Sequence, residues 1–209
     1  MVVALIVPAI AEAQNAATVA TEVGTAIVCK LDGDCEIAFE KVSNQVEEPF
    51  LFGGRIMDSS HPQYGKYRNA IRKYPDVLTC IDKKKNGNAE PNLLDFDWKN
   101  VGRQAETEVC LFRVMTSLQL DSSVQDWLRY YGFQVGELYQ MFRPEYTPHF
   151  VSQPIAQIQA DWTAKQYRQM RPSLFAKILG IDMILSYSVI VQFSQNHKVV
   201  GISAIANTK

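Results

Sequence analysis

The cysteines constrain this chain more tightly than any other residues, and two of the four lie within IVCKLDGDCEIAF, residues 27–39. Read as a β-hairpin around a three-residue Leu31-Asp32-Gly33 loop, the stretch places Cys29 opposite Cys35. Such a loop needs a left-handed residue at its end, which Gly33 supplies without a Cβ clash. The same register pairs Val28 with Glu36 and Ile27 with Ile37. One face then carries Ile27, Cys29, Cys35, Ile37 and Phe39, and the other Lys30, Asp34 and Glu36. Alternation on both arms is the pattern of a half-buried hairpin.

Two rival readings fit less well. A zinc site brings cysteines two to four residues apart with further Cys or His nearby, and no histidine is local here. A thiol–disulfide redox pair is usually C-x-x-C at a helix start, where the dipole lowers a thiol pKa. A covalent staple is therefore expected for Cys29–Cys35, which leaves Cys80 to pair with Cys110. In the chain-entropy picture the two closed loops contribute about 2.4 and about 3.7 kcal/mol as upper values.

A disulfide framework implies an oxidising compartment, and the N-terminus agrees. Residues 2–10 of MVVALIVPAIAEAQNAATVATEVG are apolar, and Ala11-Glu12-Ala13 follows as a small-x-small cleavage pattern. The expectation is a signal peptide over 1–13, a mature start at Gln14 and a flexible segment over 14–24. No Lys or Arg precedes the apolar run, as a start upstream of Met1 would leave it. The other reading is an N-terminal strand or helix buried in the core. The run is too short to span a bilayer, which takes about 20 apolar residues, so no transmembrane segment is expected in the mature chain. The residues before Cys29 do not form the Leu-rich box of a lipidated cysteine. The expected location is periplasmic or secreted.

Net charge is −1, with 47% hydrophobic and 21% charged residues, the composition of an ordinary globular chain with a core of its own. The basic run Lys83-Lys84-Lys85 sits in a loop rich in Asn, Gly and Pro. No basic face appears, which argues against nucleic-acid binding. The same loop fails as a calcium site, because Lys84 and Leu93 stand where oxygen ligands are required.

The pattern along the chain predicts an α+β fold: a stapled N-terminal hairpin, central helices and a C-terminal three-stranded antiparallel meander. Residues 25–209 read as one domain, with a sub-division near 82–100 as the alternative. Residues 40–59, broken by Pro49 and Gly53-Gly54, read as an irregular connection. A helix is expected from Ser60 as cap to Pro75, with Pro62 in its first turn and Gln63 completing a capping box. A second covers GRQAETEVCLFRVMTSLQ, with a strand through Val109–Met115 as the alternative. A third starts at Ser123 and ends at Gly132. Strands are expected where Ala156, Ile158, Ala160 and Trp162 alternate with polar residues, where Tyr187, Val189, Val191 and Phe193 do so, and over 198–206. A helix broken near Pro172 intervenes.

No G-x-S-x-G, H-E-x-x-H or P-loop motif occurs. The candidate acid–base groups are His61 with neighbouring Asp58, and His149 with Glu145, because histidine titrates near neutrality. His197 falls in a hairpin turn, where a solvated ring is the default. Aromatic residues crowd positions 127–150. Trp127, Tyr130, Tyr139 and Tyr146, with Arg143 as a positive rim, are candidates for a groove that stacks on sugar rings or anchors a partner. Core packing is the competing reading. No metal site and no cofactor are expected. The leading expectation is an exported, non-enzymatic binding or envelope-associated protein with a protein or glycan partner. A hydrolase using a His–carboxylate pair is the alternative, and a thiol–disulfide redox protein is the third possibility.

Overall fold

The computed structural model describes residues 27–29, 35–37, 41–82, 92–118, 120–141, 150–172 and 184–209. The signal-peptide and mature N-terminal readings, Gly33, Arg143, Glu145, Tyr146 and His149 lie outside them. The fold is α+β, as the pattern predicts. Strands β1 (Val28–Cys29) and β2 (Cys35–Glu36) pair antiparallel with Cys29 opposite Cys35 and Val28 opposite Glu36. Both expected disulfides, Cys29–Cys35 and Cys80–Cys110, are formed. Asn92 fastens the hairpin to the body. Its Oδ1 accepts from Ile37 N at 3.2 Å, and its Nδ2 donates to Cys35 O at 2.9 Å.

The region expected to be irregular holds a second hairpin, β3 (Leu51–Phe52) with β4 (Arg55–Ile56). Gly53 and Gly54 both have positive φ, +58° and +84°, as a two-residue hairpin turn with the twist of its strands demands. Strands of two residues are too short to show alternation, so only the Gly-Gly pair marked this turn in the sequence.

Helix α1 spans Tyr64–Lys73 with Gln63 at its cap, three residues later than the expected Ser60. Ser60 instead donates its N–H and its hydroxyl to Asp58 Oδ1, at 2.8 and 2.6 Å. The local Asp–Ser turn outcompetes the cap. A short 3-10 turn, Val77–Cys80, follows with Asp76 accepting from Thr79 N. It carries Cys80 to Cys110, and both are fully buried. Helix α2 (Gln104–Leu118) settles the helix-or-strand alternative. It is buried from Thr107 to Leu118 except at Thr116, and a helix buried nearly all round is a central element.

Helix α3 spans Asp121–Tyr130 with Leu120 at its cap, three residues before the expected Ser123, which is instead inside the helix and buried. Its end is as expected. Gly132 N donates to Arg129 O and Phe133 N to Leu128 O, and Gly132 takes a φ of +77°. Those bonds and that left-handed residue make a Schellman cap.

The C-terminal meander is β7 (Ala156–Thr163), β8 (Ile184–Phe193) and β9 (Val199–Thr208). Two short strands not foreseen, β5 (Gln134–Val135) and β6 (Tyr139–Gln140), pair with β7, giving five strands. Helix α4 (Ala164–Met170) begins at Thr163, which forms a capping box with Gln166. The inward alternation is as read: Ile158, Ala160, Trp162, Val189, Val191 and Phe193 are buried. Trp162 stacks on Phe133 with ring centres 3.9 Å apart. One contiguous core runs from Ile37 to Ala204 and includes Leu93, Phe96 and Trp98.

Two contacts lock α2 and the second hairpin to β9. Glu108 of α2 is buried and accepts from Tyr67 Oη at 2.6 Å, Gln104 Nε2 at 2.9 Å and the Ala204 amide at 3.0 Å. It thereby ties α1, α2 and β9 together. Gly54 N donates to Val200 O at 2.7 Å. A Cβ at Gly201 would lie 2.8 Å from Gly53 N, so only glycine admits the hairpin this closely.

Candidate functional site

A cleft of about 590 Å³ opens where α2, β3 and the start of β9 meet. Leu51, Phe112, Met115, Leu120, Val151 and Val199 give it an apolar lining. Lys41, Glu48 and Thr116 add polar groups, as do Asn196 and Lys198 from the β8–β9 turn. The size and the mixture match small-molecule sites, which are mostly apolar with a few placed polar groups.

Segment 43–50 positions the polar wall. Asn44 Oδ1 accepts from Val46 N and Glu47 N, at 3.0 and 2.9 Å, turning the chain toward Glu48. Arg113 reaches out from α2 to hold that turn. Its Nη1 donates to Glu48 O at 2.5 Å and to Ser43 Oγ at 3.3 Å, and its Nη2 donates to Gln45 Oε1. Burial pushes the Arg113 guanidinium down to about 10, against the pull of Glu48 and Asp76, so it keeps its charge at neutral pH. Lys41 Nζ donates to Glu48 Oε1 at 2.5 Å. The other carboxylate oxygen, Oε2, is closed to water and has no hydrogen-bond partner among the described residues. The same holds for Thr116 Oγ1 and Arg113 Nε. Thr116 lies one helical turn beyond Arg113, so the two side chains share a face of α2.

Of the candidates read from the sequence, the described ones, His61, Asp58, Trp127, Tyr130 and Tyr139, lie outside the cleft lining. His61 is buried beside α1, and its Nδ1 accepts from Gln63 N at 3.1 Å. This leaves its proton on Nε2 and makes the ring part of the turn that leads into α1. Burial and then Arg55 lower its pKa, while Asp58 opposes them. Asp58 does not orient the ring by a side-chain bond. Its carboxylate accepts from Ser60, which holds its pKa down. Trp127 is fully buried, with Nε1 donating to Leu93 O at 2.9 Å, so it belongs to the core and not to a groove. Tyr130 and Tyr139 are 45% and 51% exposed. Tyr130 meets the Tyr131 ring, and Tyr139 Oη accepts from Gln157 Nε2. Among the described residues, no group of three His, Cys, Asp or Glu could hold a metal ion, and no helix is long and apolar enough to cross a membrane.

His197 has a carboxylate partner far from it along the chain. Its Nδ1 lies 3.2 Å from Asp121 Oδ2. Its neighbours Asn196 and Lys198 line the cleft, as does Leu120 beside Asp121. His197 also has a φ of +55°, unusual for a residue with a Cβ.

The cleft draws on six separate stretches of chain, and none of them carries a motif. Comparison with protein families, with curated proteins and with solved structures gives no match.

Proposed function

We propose that this chain is an exported, non-enzymatic binding protein, periplasmic or secreted, whose cleft between α2, β3 and the β8–β9 turn holds a small and mostly apolar molecule. The observation that carries the reading is the cleft itself: an apolar lining of small-molecule dimensions, two of whose polar lining residues, Glu48 and Thr116, each keep a buried oxygen without a partner. Buried polar groups are normally paired, so unpaired ones beside a cleft mark a place where a ligand adds what the chain lacks. The two disulfides suit an oxidising compartment. The cleft replaces the aromatic stretch 127–150 as the favoured ligand site, because Trp127 is in the core. An envelope protein or glycan partner remains compatible with it.

The test is titration with Nile red, an apolar dye that brightens on leaving water. Saturable binding is expected, and Leu51→Trp and Ser152→Trp, which fill the cleft from two sides, should each weaken it at least tenfold. Binding untouched by both substitutions would overturn the assignment.

One observation supports a second reading, a hydrolase. The His197–Asp121 pair stands at the cleft's edge with the histidine Nδ1 turned to the carboxylate, the arrangement that orients an imidazole base. Hydrolysis of p-nitrophenyl esters that is lost in His197→Ala would favour it over binding alone.

A further inference from the structure

We infer that the ligand of this cleft is a neutral molecule with an apolar body and a hydroxyl group that seats at Glu48 and Thr116. The inference rests on the cleft being the binding site and adds the chemical class. Four charged side chains line the cleft among the described residues, and they cancel: Lys41 and Lys198 against Glu47 and Glu48. The Lys41–Glu48 ion pair removes one charge of each sign from play. Such a site has no surplus charge with which to hold a carboxylate or an ammonium group, and burying either without a dedicated partner is costly.

What the polar wall offers instead is an unmet acceptor, Glu48 Oε2, and the Thr116 hydroxyl, which both donates and accepts. A ligand hydroxyl also both donates and accepts, so one such group answers this set without bringing charge. These atoms are shielded from bulk water, and the inferred seating requires the Lys41 side chain, paired with the other oxygen of Glu48, to swing aside. That chain is 39% exposed and holds only the other oxygen of the same carboxylate. Taking about 30 Å³ per heavy atom, the volume water occupies, the cleft admits a molecule of at most about 20 heavy atoms.

The experiment is displacement of Nile red by three ten-carbon probes: decanol, decanoate and decylammonium. Each is measured on the wild-type protein, on Glu48→Gln and on Thr116→Val, which keeps the shape of the side chain and loses the hydroxyl. Decanol is expected to bind at least about tenfold more tightly than either ion. It should lose about tenfold with Glu48→Gln, the factor for one hydrogen bond to a charged acceptor, and a smaller factor with Thr116→Val. Preference for decanoate would mean that the lysines select the ligand, and preference for decylammonium that Glu48 acts as a counter-ion. Either result overturns the inference, as does decanol binding that neither substitution changes. Displacement without head-group preference would overturn the hydroxyl assignment alone. Failure of all three probes and of the dye would overturn the cleft as well.

Discussion

Replacing Glu108 should damage this fold more than any other single change to a charged residue. Its carboxylate is 1% exposed and accepts from three elements: the Tyr67 hydroxyl of α1, the Gln104 side chain of α2 and the Ala204 amide of β9. Glu108→Ala would leave the Tyr67 hydroxyl proton and the Ala204 N–H without acceptors, at about 1–3 kcal/mol each, while Lys66 Nζ still donates to Tyr67 Oη at 3.2 Å. It would also open a void. The expected loss is about 3–5 kcal/mol, from two buried donors left unpaired and the void, and a large part of a typical net stability of about 5–15 kcal/mol. Glu108→Gln keeps the shape and one acceptor oxygen, but its amide hydrogens then face an N–H or O–H donor, so about 1–2 kcal/mol is expected. Urea unfolding followed by tryptophan fluorescence measures both, because Trp98, Trp127 and Trp162 all lie in the core. A double-mutant cycle with Tyr67→Phe should give a coupling of about 1–3 kcal/mol. A cost below about 1 kcal/mol for Glu108→Ala, or no coupling to Tyr67, would refute the argument that this carboxylate joins the helices to the sheet.

Other perturbations test other links. His61 has its pKa lowered chiefly by burial, so the folded state binds its proton less readily than the unfolded chain does. Stability is therefore full above about pH 6.5 and falls as pH drops below it; melting temperatures from pH 7.5 to 5.0 should show this fall, and His61→Asn should flatten it. Replacing Cys80 and Cys110 together by Ser should cost more than replacing Cys29 and Cys35, with upper values of about 3.7 and about 2.4 kcal/mol, read by denaturant unfolding. Gly201→Ala, whose Cβ would press on the Gly53 backbone, should cost about 1–3 kcal/mol and lower the melting temperature while loosening the Leu51 side of the cleft. Expressed in a bacterium with its own N-terminus, the chain should be exported and begin at Gln14, as intact mass would show; a cytoplasmic product retaining Met1 would count against export.

The sequence made legible those parts of the fold that rest on local rules. The Cys29–Cys35 register follows from strand alternation and a glycine turn. The end of α3 follows from Gly132, and the meander follows from inward Ile158, Trp162, Val191 and Phe193. Helix starts were less legible, because Ser60 and Ser123 are both plausible caps, and the choice fell to tertiary contacts: Ser60 pairs with Asp58, and Ser123 is buried inside α3. The short strands β3 to β6 hold two residues each and have no periodicity to read. The cleft was the least legible part. Glu48 and Thr116 are 68 positions apart, and His197 and Asp121 are 76 apart. Such pairs meet only through the packing of α2 and β9, which no local pattern encodes.

Methyl-resolved NMR tests the central claim most directly. With Leu, Val and Met methyl groups labelled, decanol should shift the resonances of Leu51, Met115, Leu120 and Val199, which line the cleft. It should leave Leu128 and Val189, buried in the core away from the cleft lining, unchanged. Shifts that gather on another face, or a spectrum that decanol does not alter, would contradict the assignment of the cleft as the binding site.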